Sequence, residues 1–414
     1  MKILLIHNRY YHVSGPETYL FNLKDQLELL GHEVDIFSLD YDENIKSKKE
    51  NFFPNPIGSK SSYSFKDQNL SFIEKLRVII SLFYRNDVYV KLNELLMQNH
   101  YEAALILQFW GKLSPAIFRA LKENNVPATL RISDFGLVCG TNTLLKNNKH
   151  SKECIKSKFG CIKNKCVDNS YTKSLINTLA QLNFRARYSK RINYIYTCKN
   201  TQSIFHDAGI SNNSFHVPTF YPRDFIHKET CDSKKIIYLG RVNRDKGLHK
   251  MLPLFPDSSE IFLEIWGSGP PEYLHELKQI ILSRKNKNIF LKGATSQMNI
   301  QNVFQDCIFS IIPSQWHDNL PNSLIESLSN GVPVIAPNHG CFPEFIFENE
   351  NGFLYQDQKD LKNIFLKVQD LSEDKKLELS YNSTIFAKKT FSSKIHIKKL
   401  IEVISADPKQ STFQ

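Results

Sequence analysis

Two carboxylates, Asp318 and Glu326, close the ends of the stretch DNLPNSLIE. Pro321 reads as a first-turn proline, which leaves the N–H groups of Asn322 and Ser323 at the start of a helix. Those N–H groups and the helix dipole favour an anion. Glu326 falls about one turn further in, where a carboxylate can take two hydroxyls of a ribose. Asp318, in the loop ahead, is placed to meet a sugar hydroxyl. A capped surface helix with an exposed glutamate gives the same pattern. Against it stands the crowding of Trp316, His317, Asp318 and Asn319 into one loop, costly decoration for a connector.

Three further stretches carry chemistry. In GRVNRDKG, Gly240–Gly247, Arg241 and Lys246 span a turn and are placed to converge on one diphosphate. Arginine supplies a planar fork and lysine a point charge, a pair suited to two phosphoryl groups. Two solvated cations on a basic protein are the plainer alternative. In SGPET, Ser14–Thr18, Gly15 allows close backbone approach while Pro16 and Glu17 start a helix. That suits a phosphate or a substrate hydroxyl, though a plain strand–helix turn reads the same way. WGSGPPE, Trp266–Glu272, lacks the G-x-G-x-x-G spacing and reads as a tight turn.

Each stretch needs a strand ending in front of it. Lys2–His7, Val34–Leu39, Ala103–Phe109, Ala128–Ile132 and Tyr194–Cys198 are strand-like. Between them, Glu17–Leu30, Pro115–Asn124 and Lys173–Arg191 have helical spacing, and Phe72–Leu96 reads as two helices with Asn86 as a cap. A lysine-rich insertion occupies Lys146–Lys173. Two prolines mark a linker at Val217–Phe225. A second series follows: Ile236–Leu239, Phe262–Trp266, Ile289–Leu291, Phe309–Ile312 and Pro333–Ala336, then amphipathic helices Asp374–Lys389 and Ser392–Ile404. Strands alternating with helices predict α/β architecture with parallel sheets covered on both faces. Two series predict two doubly wound domains, residues 1–220 and 225–385, with ligands at the carboxyl ends of the strands in a cleft between them. The tail ADPKQSTFQ is expected to fray.

At 414 residues the chain is too long for one ordinary core. Its net charge of +11 attracts anions, without choosing among nucleotides, phosphates, lipid and nucleic acid. The apolar run in MKILLIHNRYY is too short for a signal peptide and reads as a buried strand. No apolar run approaches the ~18 residues of a membrane span. A cytoplasmic protein is expected, with the inner face of the membrane as an additional location. Of the eight cysteines, Cys139, Cys154, Cys161 and Cys166 lie close in sequence. A cytosolic setting disfavours disulfides and leaves free thiols or a metal site. None of the spacings is C-x2-C, which favours free thiols and no metal.

Taken together, these residues resemble family 4 glycosyltransferases of the GT-B fold over nearly the whole chain. The resemblance rests on GR-x4-KG at Gly240–Gly247, PSQWHDNLPNSLIE at Pro313–Glu326, GVPVIA, and the PE of Pro343–Glu344. It implies two Rossmann-like domains, with the last helix, residues 391–404, packing back onto the first. It implies transfer of a sugar from a nucleotide-sugar substrate to a saccharide or lipid-linked acceptor, with the anomer retained. No cofactor and no catalytic metal are implied. Arg241 and Lys246 would hold the diphosphate and stabilise the leaving charge. Asp318 would orient the donor sugar and Glu326 bind the ribose. Asn319, Leu320, Asn322 and Ser323 complete the donor site, and Gly15 lines its phosphate side. The family usually has two glutamates separated by seven residues; here Asp318 takes the first place. Many relatives carry a His-Asp pair before an aromatic residue and LVC. ISDFGLVC, Ile132–Cys139, has Ser133 and Asp134 there. Serine takes up no proton near neutral pH, so the histidine's role is lost or passes to Asp134. The relatives' cysteine pattern after LVC is roughly kept, which makes the cysteine cluster a structural feature of a subfamily.

An active enzyme of surface polysaccharide or glycolipid biosynthesis is the preferred reading, because the diphosphate and ribose residues are all present. The substitutions at Ser133 and Asp318 suit a catalytically silent sugar-nucleotide-binding protein instead. A sugar-nucleotide epimerase of the same fold would need no acceptor. Nucleic-acid binding rests on charge alone and is not expected. The lysine-rich insertion and Phe72–Leu96 fit two readings: peripheral contact with an anionic membrane, or a solvated loop and a buried core helix.

Overall fold

The computed structural model describes residues 1–65, 68–146, 149–157, 159–210, 213–230, 233–258, 260–296 and 299–406. Residues 407–414 of the tail expected to fray lie outside them. The chain divides into two compact units. The first comprises Met1–Lys146, Ser151–Val217 and the chain from His396; the second comprises Asn147–His150 and Pro218–Ile395.

In chain order the strands are β1 (Lys2–Ile6), β2 (Glu33–Phe37), β3 (Ala103–Ile106), β4 (Ala128–Ile132), the two-residue β5 (Leu145–Lys146) and β6 (Lys149–His150), β7 (Asn193–Tyr196) and β8 (Ser214–His216). They continue with β9 (Lys235–Leu239), β10 (Phe262–Trp266), β11 (Ile289–Gly293), β12 (Cys307–Ile311), β13 (Val334–Pro337) and β14 (Gly352–Tyr355). The first unit holds a six-stranded sheet in the order β2-β1-β3-β4-β7-β8. Its neighbouring strands all run parallel. The apolar runs that announce these strands fill its centre: Ile3–Ile6 and Ala103–Ile106 are fully buried. The helix Gly15–Leu29 starts where Glu17 reaches back to the Ser14 N–H at 3.0 Å and hydroxyl at 2.8 Å. The last helix, Ser393–Ser405, belongs to this unit from His396 on. There Asn193 Nδ2 donates to the carbonyls of Val403 and Ala406, and Tyr19 bonds His396 at 2.9 Å.

The second unit holds a six-stranded parallel sheet, β11-β10-β9-β12-β13-β14. Renumbered within the unit this is 3-2-1-4-5-6, the Rossmann order. Ile236, Leu263, Phe309 and Ile335 join Phe353 and Phe365 in its core.

Several expectations need correction. The strands β8 and β14, of three and four residues, are too brief to stand out, yet each pairs at its sheet's end. Asn86 is the first residue of the helix Asn86–Gln98, and Arg85 is its cap. Phe72–Leu96 is not a buried core helix throughout. Asn86–Gln98 buries Val88, Leu92, Leu95 and Leu96. Phe72–Ser81 leaves Phe72, Ile73, Leu76, Ile79 and Ile80 exposed. The helix expected at Lys173–Arg191 runs from Tyr171 to Arg187. Among the described residues, no helix is long and apolar enough to cross a membrane.

Candidate functional site

In the second sheet the strand order reverses between β9 and β12, the place where doubly wound sheets open a ligand crevice at their carboxyl ends. Pairing of Phe309 with Ile236 and of Ser310 with Ile237 brings those ends level. The two richest stretches of the sequence therefore emerge side by side.

The loop after β9 is clamped from both sides. Gly240 and Val242 donate to the carbonyls of Trp266 and Ser268. A Cβ on Gly267 or Gly269 would fall 1.8 Å from the carbonyl oxygens of Gly240 and Val242. WGSGPPE is thus a close-packing turn leading into the helix Pro271–Leu282. On the other side, Gln315 N–H donates to Asp245 O at 2.9 Å and its side chain to Arg244 O at 2.7 Å. Gly247 has φ +77°, and a Cβ there would lie 2.2 Å from Pro313 O. Only glycine supplies that conformation and that clearance together.

This latch brings Lys246 and Asp318 into contact. Lys246 Nζ donates to Asp318 Oδ1 at 2.9 Å and Oδ2 at 3.0 Å, and lies 5.2 Å from the centre of the Trp316 ring. The side chains retain only 12% and 4% exposure. Arg241 faces solvent beside Asp245 at 3.7 Å. The two cations of GRVNRDKG therefore have different partners. Asp318 is braced by its N–H to Trp316 O at 2.9 Å and by the Cys341 N–H on its carbonyl at 3.1 Å. Cys341, beyond β13, was missed in the sequence, where only the turn residues after an apolar strand hinted at a brace.

Pro321 is the cap of the helix Asn322–Ser329 rather than its first residue, with φ −70° and ψ 140°. The helix starts at Asn322, so the N–H groups of Asn322 and Ser323 fall in its first turn, beyond intrahelical bonding. Leu324, Ile325 and Leu328 anchor it in the unit, and Glu326 is buried rather than exposed. Asn319 and Leu320 are buried in the loop ahead. A cavity of about 430 Å³ in the same unit is lined by Gly247, Pro313, Ser314, Pro337, His339 and Asp357, among others. Lys246, Asp318 and Glu326 are not among its walls.

In the first unit, the order reverses between β1 and β3. Gly15 opens the helix after β1. Beside it is a buried cluster the sequence reading missed. Glu17 Oε1 accepts from Arg9 Nε at 2.8 Å and lies 3.6 Å from His7 Nε2. Burial pushes His7 down to about 4, outweighing the pull of Glu17. Burial pushes Glu17 up, but Arg9, His7 and Ser14 outweigh it and hold the carboxyl below its ordinary value. Lys112 is lowered to about 7, by burial first and then by Arg85 and Arg9. Asp134, after β4, accepts the Gly136 N–H at 2.7 Å. Burial raises its carboxyl above the usual range, with that N–H opposing. The Ser133 hydroxyl points to Leu107 O at 3.4 Å.

Residues 223–387 match the family described as "Glycosyl transferases group 1". Among curated proteins, spore coat protein SA of Bacillus subtilis is 26% identical over 170 residues, 38% of this chain and 45% of that protein. The capsular polysaccharide biosynthesis glycosyltransferase CapM of Staphylococcus aureus is 25% identical over 213 residues, 49% of this chain and 54% of that protein. The chain thus spans about half the length of the curated relatives it matches. Two solved structures resemble it at full length. HepE of Anabaena, in complex with UDP-glucose, is 16% identical with a TM-score of 0.64, covering 98% of this chain and 99% of that one. Sucrose-phosphate synthase of Thermosynechococcus elongatus is 14% identical with a TM-score of 0.67, covering 97% and 98%. At these identities the likeness establishes the fold, which is GT-B.

Proposed function

We propose that this chain is a retaining glycosyltransferase that moves a sugar from a nucleoside-diphosphate sugar to a saccharide or lipid-linked acceptor. One observation carries the reading: the buried Lys246–Asp318 pair and the first turn of the helix Asn322–Ser329 share the β9/β12 switch point. The first-turn N–H groups and Lys246 supply fixed positive charge where a diphosphate would bind and where negative charge grows as it leaves. Arg241, on its exposed arm, closes on the same group. Asp318 holds Lys246 in place and offers its carboxylate to the donor sugar. Glu326 takes the ribose hydroxyls. The parts given to Gly15 and Asp134 rest on the family resemblance. With cations serving the diphosphate, no catalytic divalent ion is needed, so transfer should not require added magnesium or manganese.

HepE binds UDP-glucose and CapM belongs to capsular polysaccharide biosynthesis. Those relatives support a UDP-sugar as donor and a surface glycan as product. The exposed apolar face of Phe72–Ser81, with Lys75 and Arg77 on the same helix, supports peripheral contact with an anionic membrane. Incubation with a panel of UDP- and GDP-sugars and glycan acceptors, read by mass spectrometry, tests the reading. A glycosylated acceptor of unchanged anomeric configuration is expected. Nucleotide binding without transfer would identify a silent sugar-nucleotide-binding protein. A donor isomer formed without acceptor would identify an epimerase.

A further inference from the structure

We propose that Cys139, Cys154, Cys161 and Cys166 ligate one zinc ion that ties the lysine-rich insertion to the body of the first unit. The sulfurs of Cys154, Cys161 and Cys166 all lie within 4.8 Å of one another. Cys154 and Cys166 each lie within hydrogen-bonding reach of the other three cysteines, Cys139 included. The Cys154–Cys166 separation is 3.6 Å. Zinc–thiolate bonds of about 2.3 Å place sulfurs about 3.8 Å apart along the edge of a tetrahedron. A disulfide needs about 2.05 Å. An iron–sulfur cube would sit between the thiolates and hold them farther apart. The Cys154–Cys166 separation is close to that tetrahedral edge.

The surroundings are built for sulfur. Cys139, Cys154 and Cys161 are at most 9% exposed. The N–H groups of Thr141 and Gly140 are hydrogen-bonded to the sulfurs of Cys139 and Cys161, and the Thr178 side chain reaches Cys161 as well. Such bonds stabilise thiolates and orient metal ligands. Gly140 cannot be larger, since a Cβ there would lie 2.8 Å from Cys161 Sγ. Four thiolates around a divalent cation carry two net negative charges, and the same stretch of sequence carries Lys146, Lys152, Lys156, Lys163 and Lys165.

The insertion also needs a staple. Its elements are two-residue strands and the short helices Glu153–Lys156 and Gly160–Lys163, too small to fold on a core of their own. Asn142, Leu144, Lys165, Asp168 and Asn169 all hold left-handed backbone. Ordering that chain costs free energy that metal coordination supplies. The knot begins beside the candidate site, because the Cys139 N–H closes a turn on Phe135 O, next to Asp134.

The test uses the full chain, purified without metal-affinity steps. Elemental analysis is expected to find about one zinc per chain, with Cys154→Ser and Cys166→Ser cutting occupancy at least about tenfold. Should those variants fail to fold, unmutated chain grown with cobalt must show the intense charge-transfer and ligand-field bands of a tetrahedral tetrathiolate. Metal-free chain whose thiols react promptly, a Cys154–Cys166 disulfide, iron with inorganic sulfide, or full zinc in both serine variants would each overturn the proposal.

Discussion

The Lys246–Asp318 pair permits a quantitative test. At 2.9 Å, with an effective dielectric of ~20, the attraction is about 6 kcal/mol. Both side chains are largely buried, so desolvation returns several kcal/mol of this. A net coupling of about 2–3 kcal/mol remains, against under ~1 kcal/mol for an exposed pair. The perturbation is a double-mutant cycle of Asp318→Ala and Lys246→Met. Each single change should cost about 3 kcal/mol, because it leaves the other charge buried and unpaired. The double variant should lose little more than either. Urea unfolding followed by tryptophan fluorescence is the assay, since Trp316 lies against Lys246. Additive losses, with a coupling under ~0.5 kcal/mol, would refute the claim that the latch between the two loops holds this pair. Asp318→Asn then separates charge from shape. Freed of its counter-charge, Lys246 should bind a nucleoside diphosphate at least as tightly, while sugar transfer falls about 100-fold or more.

Other consequences follow from single positions. His7 is held near 4 by burial and is ordinarily near 6.5 when unfolded. As pH falls through that window the unfolded chain takes a proton that the folded chain refuses, so stability drops by about 3 kcal/mol. His7→Gln should flatten that acid limb in denaturant titrations; parallel losses in both proteins would show that His7 is not held neutral. Gly247→Ala, with φ +77° and a backbone oxygen 2.2 Å from the new Cβ, should cost about 2 kcal/mol or more and weaken nucleotide binding. Gly31→Ala, with φ +82° and nothing within 4 Å, should cost only the ~1 kcal/mol of left-handed backbone; equal melting shifts would contradict the clash. Asp134→Asn should lower kcat about 100-fold with donor affinity within about threefold, and unchanged kcat would remove Asp134 from the reaction. If the family histidine's role has passed to Asp134, Ser133→His should partly restore transfer in Asp134→Asn, and a failed rescue would leave the two residues independent.

Much of the site was legible because its signals are local. A proline beside a helix start, a glycine after a strand and an apolar run ending in polar residues act over a few residues, so GRVNRDKG and DNLPNSLIE could be placed at strand ends. Short edge strands escaped notice because Ser214–His216 and Gly352–Tyr355 are too brief to show a period and exist through pairing. The exposed face of Phe72–Ser81 escaped for the opposite reason. Its period is strong, but periodicity says nothing about what covers it.

The sequence alone determined the alternation of strand and helix, the two series of strands, and which residue types stand at their ends. Those follow from side-chain period and backbone preference, which each segment carries by itself. Tertiary structure alone decided that β9 and β12 are neighbours, that Lys246 meets Asp318 while Arg241 does not, and that Cys139 joins cysteines far along the insertion. Strand order and loop-to-loop contact depend on how distant segments share one buried core, and no local pattern encodes that.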